Sequence, residues 1–150
     1  NESANKANTS NNISPSNHEL PIFIGGKSMG SRVAVTLAGN VDQSSRIKGV
    51  FCLGYPFHPT KKPEKLRLTP LQETLKPVLI VQGDRDTLGS EEEIASYDFS
   101  DFCQCVFMTD GDHSLKPRVK SGFTRQQHID SAVQNIIRFI CVNSLPDNLT

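Results

Sequence analysis

A chain of 150 residues is long enough for one domain of ordinary size, and its 16 basic residues balance its 16 acidic ones to a formal net charge of zero. That balance argues against a protein built to bind nucleic acid, whose phosphate contacts need a basic surplus. No apolar run approaches the roughly 20 residues that span a bilayer, and the four cysteines show no C-x-x-C pair or metal-ligand spacing, so neither a metal nor a cofactor is expected.

Residues 1–19 are rich in Asn and Ser and hold almost nothing apolar, which predicts a disordered arm or a linker. Leu20 to Ile24 then reads as a short buried strand closed by Gly25 and Gly26, with Pro21 at its start, where a missing N–H matters least. Met29 to Ala38 is a helix of small residues, stopped by Gly39 and Asn40. Ile47 to Leu53 is a second buried strand. Residues 56–70 carry prolines at 56, 59, 63 and 70 and are expected to form a loop with at most a short helical turn. Pro77 to Gln82 is a third strand, closed by Gly83. Ser90 and Glu93 have the spacing of a capping box, opening a helix to about Tyr97, and Cys103 to Met108 is a fourth strand. Thr124 and Gln127 repeat that spacing before the last helix, where Ile129, Ala132, Val133, Ile136, Ile137 and Ile140 recur on one face. The expected domain covers 20–142, with 143–150 as a tail. Continuous apolar strands alternating with helices imply a parallel sheet covered on both faces. Cys52, Cys103 and Cys141 lie in apolar runs and Cys105 adjoins one, which suits buried free thiols in a reducing compartment. No signal peptide is visible, and the expected setting is cytoplasmic.

Gly26-Lys27-Ser28-Met29-Gly30 fits the pattern G-x-S-x-G, and it follows a buried strand and opens a helix. A sharp strand-to-helix turn lifts such a serine to the edge of the sheet, and glycines on either side avoid clashes. The Met29 N–H, at the start of the helix, is then the oxyanion donor. Gly26-Lys27-Ser28 also ends a phosphate-binding loop, but that motif needs a glycine at position 21, which is Pro. An acid should follow a later strand: Asp86 is preferred because it sits further into the loop, with Asp84 as runner-up. Of four histidines, His113 alone stands in a turn after a strand; His18 is in the arm, His58 in the Pro-rich loop and His128 at the head of the last helix. In chain order Ser28, Asp86 and His113 make a nucleophile, an orienting acid and a base.

The segments 25–32 (GGKSMGSR), 54–59 (GYPFHP), 81–86 (VQGDRD) and 110–116 (DGDHSLK) together resemble an α/β-hydrolase family related to dienelactone hydrolases. That family includes a testis-expressed protein, a subunit of the non-specific lethal acetyltransferase complex and many bacterial members. The resemblance covers about 20–142 and implies an α/β fold and the triad. In such a fold the elbow strand is the fifth of eight, so the expected architecture is the C-terminal part of an α/β-hydrolase fold. Its mostly parallel sheet has helices on both faces, and its N-terminal strands, with the loop giving the second oxyanion donor, are missing from these residues. The implied function is a serine hydrolase acting on a small-molecule ester, lactone or similar acyl substrate, with no nucleic-acid or membrane partner. The alternative is a non-catalytic interaction module, or an inactive fragment, for which a protein partner is left open. Lys61, Lys62, Lys65 and Arg67, with Lys116, Arg118, Lys120 and Arg125, form two basic clusters, expected as solvated surface rather than as an anion site.

Overall fold

The computed structural model describes residues 20–42 and 45–145; the expected arm at 1–19 and most of the expected tail lie outside these residues. Four strands, β1 (Ile22–Lys27), β2 (Ile47–Leu53), β3 (Val78–Gly83) and β4 (Cys103–Met108), form one sheet in the order β1-β2-β3-β4. All three pairings are parallel. Parallel neighbours require a return path across a sheet face. The segments holding α1 (Met29–Gly39), then α2 (Thr69–Glu73), then α3 (Glu91–Ile94) supply those returns, and α4 (Arg125–Asn143) follows β4. This is the α/β architecture expected for part of an α/β-hydrolase fold. All four strand C-termini face one edge, so the turns after them gather in one place. Among the described residues no helix is long and apolar enough to cross a membrane.

Strand β3 is buried along its whole length. Side chains alternate across a strand, so Val78 and Ile80 enter a core with Ala34, Val35 and Ala38 of α1, Leu71 of α2 and Ile94 of α3. Leu79 and Val81 enter a second core on the opposite face, with Ala132 and Phe139 of α4. Phe139 also meets Phe23 edge-on at 5.9 Å, which closes this layer over β1.

Four expectations need correction. First, β1 does not stop before Gly25 and Gly26 but runs through them to Lys27. The glycines pair with Phe51 and Cys52 in the ladder, and the Phe51 ring occupies the space a Cβ on Gly25 would need. Second, the short helical turn allowed for in the Pro-rich stretch forms at its end but runs past Pro70 to Glu73 as α2, with Pro70 in its first turn, where the lost N–H is harmless. Third, α3 ends at Ile94 rather than near Tyr97; Tyr97 and Phe99 instead turn in to stack on Phe57 at 5.6 and 5.9 Å. Fourth, only half of the expected face of α4 is used: Ala132, Ile136 and Ile140 pack into the second core, with His128 and Phe139 beside them, while Ile129, Val133 and Ile137 are exposed. The edge-on contact of Phe139 with Phe23 turns the buried face towards Phe139. The helix also includes Asn143, the first residue of the expected tail.

Candidate active site

Ser28 stands between β1 and α1 with φ +54° and ψ −119°, a sparsely populated positive-φ conformation that costs a non-glycine residue about 1–3 kcal/mol. The surroundings hold it there. Ser28 N–H donates to Leu53 O at 3.0 Å, Ser31 N–H donates back to Ser28 O at 2.9 Å, and the buried Ser31 hydroxyl donates to Gly26 O at 2.7 Å. Gly26 is needed for closeness: a Cβ there would lie 2.2 Å from the Gly30 carbonyl carbon. Gly30 is not, since nothing lies within 4 Å of where its Cβ would stand, so the expectation of two sterically required glycines holds for one only. The Met29 N–H, at the first position of α1, has no acceptor within the helix.

The three residues placed by the sequence meet at the sheet edge. His113 Nε2 lies 2.8 Å from Ser28 Oγ, and His113 Nδ1 lies 2.8 Å from Asp86 Oδ2. A carboxylate can only accept, so Nδ1 carries the hydrogen, leaving Nε2 with a lone pair for the serine hydroxyl. The Asp86 side chain is fully buried and that of His113 is 25% exposed, so the imidazole spans from the interior to the surface. Asp84, the runner-up, is half-buried at the start of the same turn, and no hydrogen bond joins its carboxylate to His113 among the described residues.

Several neighbours hold the imidazole. Gly54, at φ +64°, lies against it so closely that a Cβ would sit 2.7 Å from His113 O and 3.3 Å from its ring. The His113 turn is pinned at both ends. Asp110, itself at positive φ, accepts from Arg118 N at 2.7 Å and from the Arg118 guanidinium, which holds the Asp110 carboxyl well below the usual carboxylate range. Arg85 Nε donates to Asp110 O at 2.7 Å. Asp112 Oδ1 accepts from the N–H groups of Ser114 and Lys116 at 2.8 and 3.0 Å. His128 Nδ1 lies 2.8 Å from Leu115 O, so the last helix reaches back to the same turn.

Composition and motif reading missed Gly54, His128 and Gln82. For Gln82 a signal existed, a polar residue near the end of an otherwise apolar strand; Gly54 opened one of the segments that carry the resemblance, without a role, and nothing in the sequence marked His128. Of the basic clusters, Lys61, Lys62, Lys65, Lys116, Lys120 and Arg125 are exposed, as solvated surface would be, and Arg118 is occupied by Asp110. The four cysteines are free thiols, with burial pushing Cys52 and Cys105 up to about 12 and Cys103 up to about 11. Cys141, expected to be buried, is exposed.

A family model described as an alpha/beta hydrolase domain matches residues 3–141. Among solved structures, the chain is similar to an alpha-beta serine hydrolase homologue from Coxiella burnetii, at 21% identity and a TM-score of 0.50 over 74% of this chain and 49% of that one. It is also similar to the esterase domain of a Rhodothermus marinus protein, at 16% identity and a TM-score of 0.54 over 82% of this chain and 60% of that one. The chain thus spans about half the length of the first structure and three-fifths of the second. At these identities the likeness is one of fold.

Proposed function

We propose that this chain, which belongs to the alpha/beta hydrolase domain family, carries the reacting half of a serine hydrolase for ester, lactone or similar acyl substrates. The observation that carries the reading is the unbroken chain of contacts from Asp86 Oδ2 through His113 to Ser28 Oγ, 2.8 Å at each link. In the proposed reaction Ser28 Oγ attacks the acyl carbon as His113 Nε2 takes its proton. Asp86 holds the imidazole tautomer and stabilises the imidazolium. Negative charge gathers on the acyl oxygen, for which the Met29 N–H, at the first position of α1, is the proposed donor; one such donor is worth about 10²–10³ in rate. His113 returns the proton to the leaving group, and a water repeats the sequence to release the acid and free Ser28.

The finer resemblance, to the group related to dienelactone hydrolases, supports a small carbonyl substrate but not a particular one. A cytoplasmic setting belongs to the same reading, supported by free thiols. The test is a fluorophosphonate probe. The protein should be labelled at Ser28, and both Ser28→Ala and His113→Ala should abolish labelling and ester hydrolysis. Labelling that persists in Ser28→Ala refutes the assignment.

A further inference from the structure

We infer that Gln82 is a positioning residue that sets the orientation of the Asp86 carboxylate, an assignment that rests on the triad reading above. Gln82 closes β3 on the same face as Val78 and Ile80 and is fully buried. A buried amide without partners is destabilising, so its four contacts account for its presence there. Oε1 accepts from Tyr55 N–H at 2.9 Å. Nε2 faces Asp86 Oδ2 at 2.9 Å, Gly89 O at 3.0 Å and Tyr55 O at 3.2 Å. The amide cannot be flipped, because the Tyr55 N–H only donates and must meet the oxygen. The group facing Asp86 is therefore an N–H donor.

Asp86 Oδ2 consequently receives two donors, Gln82 Nε2 and His113 Nδ1, while Oδ1 takes the Leu88 N–H at 2.8 Å. Removing the amide leaves the carboxylate its Leu88 and His113 contacts but frees it to turn about them. Gln82 also grips Tyr55 through both its N–H and its C=O, and Tyr55 follows Gly54, which lies against the His113 ring. One side chain thus ties the wall beside the imidazole to the acid that orients it. It touches neither substrate nor the reacting atoms, so its effect is on alignment.

Two variants and one measurement on the native protein test this. Gln82→Met removes both polar functions at similar length, and Gln82→Leu removes them at smaller volume; Gln82→Glu is avoided because the new carboxyl, protonated beside the Asp86 carboxylate, would restore a donor. Each folded variant should lose about 10- to 100-fold in kcat, the size of loss caused by removing the partners that orient a metal-bound imidazole, with KM for a small activated ester unchanged. A buried residue that serves stability alone would lower Tm without moving kcat of the folded enzyme. The measurement that needs no variant follows the Gln82 side-chain amide by nitrogen-15 NMR. Its resonances should move when Ser28 is phosphonylated, because the changed His113–Asp86 contact shares Oδ2 with it. Wild-type kcat in folded Gln82→Met, or an amide signal indifferent to phosphonylation, overturns the assignment. If Ser28→Ala and His113→Ala abolish activity while the Gln82 results are negative, only the positioning role falls. If those two variants stay active, the triad reading falls first.

Discussion

Gly54→Ala separates two costs that usually travel together. The substitution forces a Cβ into left-handed backbone at φ +64°, which costs about 1–2 kcal/mol. It also sets that Cβ 2.7 Å from His113 O, where ordinary contact begins at 3.4 Å. Relief requires a movement of about 0.7 Å between the Gly54 and His113 backbones. The His113 Nε2 to Ser28 Oγ contact is 2.8 Å, so a shift of that size carries it to the limit of a hydrogen bond. A misplacement approaching 1 Å costs about 10²-fold in rate, so kcat/KM for an activated ester should fall by about 10- to 100-fold. Gly122→Ala is the control: its φ is +79°, but nothing lies within 4 Å of its Cβ position. Gly122→Ala should lose about 1–2 kcal/mol in denaturant unfolding and Gly54→Ala more, since its clash adds to the strain; only Gly54→Ala should lose activity and slow the labelling of Ser28. Wild-type kcat/KM in Gly54→Ala, or an equal loss in Gly122→Ala, refutes the argument from contact.

Other outcomes follow from the same geometry. Gly26→Ala puts a Cβ 2.2 Å from the Gly30 carbonyl carbon, backbone against backbone; it should destabilise by about 1–3 kcal/mol and abolish labelling of Ser28, while Gly30→Ala keeps both near wild type by the same two assays. Asp86→Asn brings an N–H₂ to a group whose two oxygens already face three donors; a loss of about 10⁴ in kcat is expected from the wrong imidazole tautomer, against less than tenfold for Asp84→Asn, and steady-state kinetics showing the reverse order would remove Asp86 from its role. On the last helix, Phe139→Ala should cost about 3–5 kcal/mol because it empties the contact with Phe23, whereas Ile137→Ser, at a position 56% exposed, should stay within about 0.5 kcal/mol; urea titrations of the two compare them directly.

The sequence alone determined what depends on local order along the chain. The limits of β2 and β4 follow from apolar runs bounded by turn residues, and both capping boxes form as their spacing requires. Ser28, Asp86 and His113 could be picked out because each follows its own strand, and parallel strands deliver their C-terminal turns to one edge. Tertiary structure decided whatever depends on what lies across a gap. The apolar face of α4 could lean to either side of Ala132, Ile136 and Ile140, and Phe23 on the sheet below drew it towards Phe139 and away from Ile129, Val133 and Ile137. Two aspartates stood two residues apart in one turn, and the buried amide of Gln82 received Asp86. A glycine's need is written in the atom opposite it: Gly26 faces the Gly30 carbonyl and Gly54 the His113 ring, while Gly30 faces open space. Periodicity fixes which residues share a face, but only the packed neighbour fixes which face is used, because burial is a property of two surfaces and the sequence of an element describes one.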